Sequence, residues 1–191
     1  MSWDKIGQTI REHTAMIEES FQGQAGEMEE FARKLVDAFH RGGKLLVLGS
    51  GSLGTVANHV ANLFLHRLAL ERPVLPALSL CHDVTLATAL AQEGQGRQFF
   101  PRQLRAAAAA GDVLLAFGDS RRDPGLEEAL AAGRQMDCVT ALLVHGRENV
   151  LDQQTDFLFR LETDSPPRAV EGALFFGHLL GELVEGELFG I

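Results

Sequence analysis

From Lys44 onward, short apolar runs alternate with stretches of helical character, and that alternation leaves few folds open. The runs lie at residues 45–48, 74–80, 113–117, 139–144 and 157–161. Strands with apolar residues on both faces belong inside a parallel sheet covered by helices on each side. The intervening segments 55–70, 85–91, 101–110 and 124–136 read as helices. Pro101 and Pro124 stand where an opening helical turn tolerates proline, and Asp123 is a suitable cap before the second. Gly111 closes the alanine-rich segment, and only the link from 144 to 157 lacks a clear helix. A doubly wound, flavodoxin-like sheet of five parallel strands is expected, sandwiched by helices.

Before Lys44 the texture is different. Residues 3–41 hold no proline and no strand pattern, while Phe31, Leu35, Val36 and Phe39 recur at helical spacing until Gly42-Gly43. Ile6, Ile10 and Ile17 mark an earlier helix. Residues 1–42 are therefore a helical extension, and 43–191 are the α/β core of one domain. The core ends in a segment, 168–189, whose Leu174, Phe175, Phe176, Leu179, Leu180, Leu183 and Val184 make it apolar nearly all round. Such a helix is buried, and a second subunit is the expected cover.

Composition narrows the function. With 26 acidic against 17 basic residues, the net charge of −9 argues against a broad nucleic-acid footprint, which needs clustered Lys and Arg. No run reaches the ~18 uninterrupted apolar residues of a membrane span. The first residues carry no secretory pattern, and two cysteines, Cys81 and Cys138, make no disulfide framework. They read as buried thiols of a cytoplasmic protein.

Ligands of doubly wound sheets bind in the loops after the strands. The first such loop is Gly49-Ser50-Gly51-Ser52-Leu53-Gly54, leading into a helix. Its glycines let the backbone approach an anion, and the helix start adds N–H groups and a positive dipole end. The spelling G-x-G-x-x-G also matches the dinucleotide fingerprint, but the acidic residue wanted at the end of the second strand is missing, Asp83 falling too far along. A glycine turn that merely packs helix on strand is the plainer alternative. The second loop is Gly118-Asp119-Ser120-Arg121-Arg122-Asp123. Ser120 and Arg121 suit a phosphate, whereas Asp119 opposes one, since like charges about 4 Å apart repel by roughly 4 kcal/mol at an effective dielectric near 20. An ordinary solvated turn fits the same residues.

Two histidines occupy helices at useful places. His59 falls one turn into the helix after the glycine loop, and His178 lies midway along the last helix, with Glu182 four residues on as its expected partner. His66 reads as a surface residue. Zinc wants at least three protein ligands, so two histidines alone predict no metal.

In order and spacing these features resemble the sugar isomerase (SIS) domain family, in its phosphoheptose isomerase and DiaA-like group. The resemblance rests on Gly42-Gly43-Lys44, the glycine loop, His59, Glu71-Arg72-Pro73, Gly111-Asp112-Val113, and Arg168-x-x-Glu171 through His178 to Glu187-Leu188-Phe189. It implies a homotetramer with sites at subunit interfaces. It also implies an enediol-forming conversion of sedoheptulose 7-phosphate to glycero-manno-heptose 7-phosphate. His59 and His178 match family histidines, which would be catalytic only if the chain is active; the family's glutamate falls at Leu63 and its glutamine at Val170. The family's zinc would need those two positions, so no cofactor or metal is expected. Ser50, Gly51, Ser52, Ser120 and Arg121 are the expected phosphosugar contacts, with Leu53 replacing a serine. The expectation is a weakly bound sugar phosphate, with a dissociation constant in the high micromolar range or about −5 kcal/mol. A regulatory or interaction role, with a protein partner, is expected ahead of turnover; a working phosphoheptose isomerase is the alternative.

Overall fold

The computed structural model describes residues 2–69, 71–119, 123–146 and 155–190. Five strands, β1 (Leu45–Gly49), β2 (Ala77–Ser79), β3 (Val113–Asp119), β4 (Val139–His145) and β5 (Phe157–Leu161), form one parallel sheet in the order β2-β1-β3-β4-β5. Helices α1 (Ser2–Gln22) and α2 (Ala25–His40) precede it; α3 (Leu53–Leu65), α4 (Val84–Gln92), α5 (Phe99–Ala107), α6 (Pro124–Gln135) and α7 (Pro166–Phe189) follow the strands. This is the flavodoxin-like arrangement with its N-terminal helical extension.

Period-two alternation explains the two covered faces. Leu45 and Val47 of β1, Val113, Leu115 and Phe117 of β3, and Ala141 and Leu143 of β4 enter one core, with α2, α3 and α7. Their alternates Leu46 and Leu48, Leu114 and Ala116, Leu142 and Val144 enter the other, with α5 and α6. Phe176 of α7 is fully buried against the rings of Phe117 and Phe159 and anchors that helix to the sheet.

The largest departures from the sequence reading are in three elements, each for a local reason. The second strand is Ala77–Ser79 rather than 74–80, because Pro73 and Pro76 cannot donate to the ladder and Val74 stays exposed. The helix expected to run to 70 stops at Leu65, because the Arg72 guanidinium takes the carbonyls of Leu63 and Phe64 at 2.8 and 3.0 Å. The alanine-rich helix spans Phe99–Ala107 and not 101–110. Pro101 is its third residue, where no intrahelical N–H bond is lost, and Ala109 N–H goes to the buried Asp112 carboxylate at 2.8 Å. Cys138 is buried as expected, but Cys81 is only half-buried. Among the described residues, no helix is long and apolar enough to cross a membrane.

Candidate functional site

The sheet order reverses between β1 and β3, and ligands of open α/β sheets sit outside the strand ends at that crevice. Both expected loops start there. Ser50 N–H extends the β1–β3 ladder to Phe117 carbonyl at 3.0 Å, after which Gly51 turns the chain at φ +58°. Gly49 is required by close approach. A Cβ there would lie 2.4 Å from the Leu53 carbonyl oxygen, inside the first turn of α3. That contact sets the helix N-terminus directly on the strand end. A small cavity of about 150 Å³ opens beside the loop, lined by Ser50, Gly51, Ser52, Leu53, Asp119, His145, Pro166 and Ala169.

The serines do different things. Ser52 is exposed, and its carbonyl accepts from Thr55 Oγ1 at 2.7 Å. Ser50 Oγ donates to Asp123 Oδ2 at 2.5 Å, so the hydroxyl expected to hold a phosphate is held by a carboxylate. The other oxygen of Asp123 accepts from Gly125 and Leu126 N–H at 2.9 and 3.1 Å, capping α6 as expected. Ser120, Arg121 and Arg122 lie outside the described residues, so the expected Ser120 and Arg121 contacts, and any pairing of Arg121 with Asp119, lie outside them as well.

The two histidines meet each other. Nε2 of His59 and Nε2 of His178 are 3.1 Å apart, which corrects the expectation that Glu182 partners His178. The cause is the crossing of α3 and α7. Gly177 has no Cβ, and one built there would lie 2.4 Å from Val60 Cγ2. Val60 therefore seats against the α7 backbone, and the residues beside this contact, His59 and His178, are brought together. One ring nitrogen donates and the other accepts, so the pair shares a proton. Burial, and then the positive charge of a protonated His178, push the His59 pKa down. His59 therefore favours the neutral form.

What surrounds the pair limits its chemistry. Leu63, one turn beyond His59, is buried in the fold, and Val170 packs against the core. Among the described residues, no third His, Cys, Asp or Glu joins the histidines to complete a metal-holding group. Two nitrogens do not fit a zinc site, which takes at least three protein ligands. Purified protein is therefore expected to hold well under stoichiometric zinc by elemental analysis; about one zinc per subunit, lost in His59→Ala, would contradict that. The cysteines offer no nucleophile. Burial raises the Cys81 thiol pKa, and burial with the nearby Asp112 pushes Cys138 up to about 11, where the thiolate is scarce.

Cavity and histidine pair are served by the same two helices, α3 and α7. Both α3 and α7 begin at the cavity, and His59 and His178 lie six and nine residues beyond its lining residues Leu53 and Ala169. At the helical rise this is about 9–14 Å. The sequence had supplied both histidines without their mutual contact; Gly177 and Val60, adjacent to them in the chain, were the available signal. Asp123 was legible only as a cap.

Comparison with known proteins follows the same lines. The SIS domain family matches residues 9–143. A phosphoheptose isomerase of Trichlorobacter lovleyi is 30% identical over 186 residues, covering 97% of this chain and 95% of its own. One from Burkholderia pseudomallei is 34% identical over 164 residues, 83% of this chain and 82% of its own. The solved phosphoheptose isomerase of Francisella tularensis superposes with a TM-score of 0.89 at 26% identity, covering 96% of this chain and 98% of that one.

Proposed function

The chain belongs to the SIS-domain family of phosphoheptose isomerases, and from that premise we propose a sugar-phosphate-binding member with a regulatory or interaction role and little or no isomerase turnover. The observation that carries this reading is the α3 face that presents His59: its next turn places a buried leucine, Leu63, where proton transfer would want a carboxylate. Enediol formation needs a base at the carbon beside the carbonyl and an acid for the oxygens. An imidazole whose basicity is lowered by its surroundings is a poor base for a carbon acid. His178 can hand a proton to oxygen but is tied to His59. The pair suits hydrogen bonding to sugar hydroxyls better than abstraction of a carbon-bound proton.

A second reading, a working phosphoheptose isomerase, is the one that the relatives favour, since they carry that name at 30–34% identity across most of the chain. In that reading neutral His59 takes the proton from C1 of sedoheptulose 7-phosphate and returns it to C2, while His178 passes a proton from O1 to O2. No atom is gained or lost. Incubation with sedoheptulose 7-phosphate, followed by product analysis, separates the two. The first reading expects calorimetric binding without product, and product at ordinary enzymatic rates would establish the second.

The same proposal includes self-assembly into a homotetramer. Trp3, Ile6 and Ile10 lie along one face of α1 and are 85%, 50% and 60% exposed, and Phe175 and Phe189 of α7 also reach the surface. Contiguous apolar faces of this kind mark interaction surfaces. Sedimentation at micromolar concentration is expected to give a species near four times the 20.8 kDa chain; a stable monomer would contradict it.

A further inference from the structure

We infer that Asp123 is the residue that sets which ligand charge this site accepts: its carboxylate fills the anion position between the β1 loop and the start of α6, so a phosphoryl group binds only in competition with it. The inference rests on the sugar-phosphate reading above and deepens it. Three observations lead here. Asp123 lies where β3 hands the chain to α6, across the switch-point crevice from the β1 loop. Its two oxygens collect donors from both sides, Ser50 Oγ from the first loop and the Gly125 and Leu126 N–H groups from α6. Those are the donor types a bound phosphate recruits: a loop hydroxyl and the amides and dipole of a helix N-terminus. The 150 Å³ cavity sharing Ser50 lies beside them and carries a second acid, Asp119.

A phosphate monoester brings about −1.5 to −2 charges at neutral pH, so it cannot share these donors with a carboxylate without strong repulsion. The donors are not lost, however. A serine at 123 would still cap α6, because serine and aspartate are comparable N-caps, and it would add a hydroxyl in place of a charge. The geometry thus describes a phosphate cradle closed by one residue. The ligand that wild type prefers has its recognised groups, hydroxyls and carbonyl, at the histidine pair.

The test is calorimetry of the full chain with inorganic phosphate and with sedoheptulose 7-phosphate. Asp123→Ser is expected to tighten both by about tenfold or more, and Asp123→Asn, which keeps shape and cap, by a smaller factor. Ser50→Ala should change little in wild type, where the hydroxyl serves Asp123. In the Asp123→Ser background it should cancel much of the gain, a coupling that a merely structural role would not produce. Unchanged phosphate affinity in both Asp123 variants with native helix content, or sub-micromolar phosphate binding by wild type, would overturn the inference. Failure of the underlying reading shows elsewhere, as sugar-phosphate turnover or as a sugar phosphate that no variant binds at any affinity.

Discussion

Replacing Glu185 by alanine is expected to cost about 3–5 kcal/mol of folding stability, the penalty for stranding a buried charge. Glu185 and Arg72 are 3% and 2% exposed in their side chains, and Arg72 Nε donates to Glu185 Oε1 at 2.7 Å. The same oxygen accepts Leu68 N–H at 3.1 Å. The guanidinium also holds the carbonyls of Leu63, Phe64 and Pro73, ending α3 and fixing the segment that leads to β2. Without the carboxylate, a cation remains in a site that water barely reaches. For a chain of this size the loss corresponds to roughly 6–20 °C in Tm. A double replacement, Arg72→Met with Glu185→Leu, should recover most of it, because the cost lies in the unpaired charge. Urea unfolding of the three proteins provides the measurement, and a loss below about 1 kcal/mol for Glu185→Ala would show that Arg72 is satisfied without its partner.

That ion pair was not legible in the sequence. Nothing in the spacing of Arg72 and Glu185 joins them, since they are 113 positions apart and meet only because α3 and α7 run together. The sheet was legible because it repeats a simple rule. Leu45, Leu46, Val47 and Leu48 are apolar in succession, and only a strand between two helical layers buries all four. The loops were legible for a related reason, since Gly49 and Asp123 mark a tight approach and a cap whatever the remainder does. What a short motif does not encode is the pairing of side chains across elements. His59 and His178 could be placed on their helices, but their contact depends on Gly177 admitting Val60, a packing event between distant segments. Ser50 was likewise assigned to a ligand, where the fold gives its hydroxyl to Asp123.

The largest functional effect expected is in the rate of isomerisation. Loss of one positioned acid–base group typically lowers a rate by about 10²- to 10⁴-fold. Applied to a typical enzymatic turnover of about 10 s⁻¹, this leaves roughly 0.1 to 0.001 s⁻¹. Here the deficit has two sources. Leu63, buried one turn along α3 from His59, moves no proton, and His59 is a weakened base held against His178. The phosphate end compounds it, because binding energy at a remote phosphoryl group, which an isomerase spends on orienting the reacting carbons, meets the Asp123 carboxylate. Neither deficit touches the fold, whose core residues on both faces of the sheet are intact. A ligand can therefore be bound while its carbon-bound protons exchange only slowly.

Proton abstraction is more sensitive than product formation, because a base that removes a proton and returns it leaves a trace even when no aldose accumulates. The most direct measurement is therefore solvent-deuterium exchange into sedoheptulose 7-phosphate at the carbon beside the carbonyl, followed by NMR with wild type and His178→Ala. We expect wild type to exchange no faster than that residual rate, about 0.1 s⁻¹ or below, while calorimetry shows the sugar phosphate bound. Exchange by wild type at ordinary enzymatic rates, abolished in His178→Ala, would contradict the account.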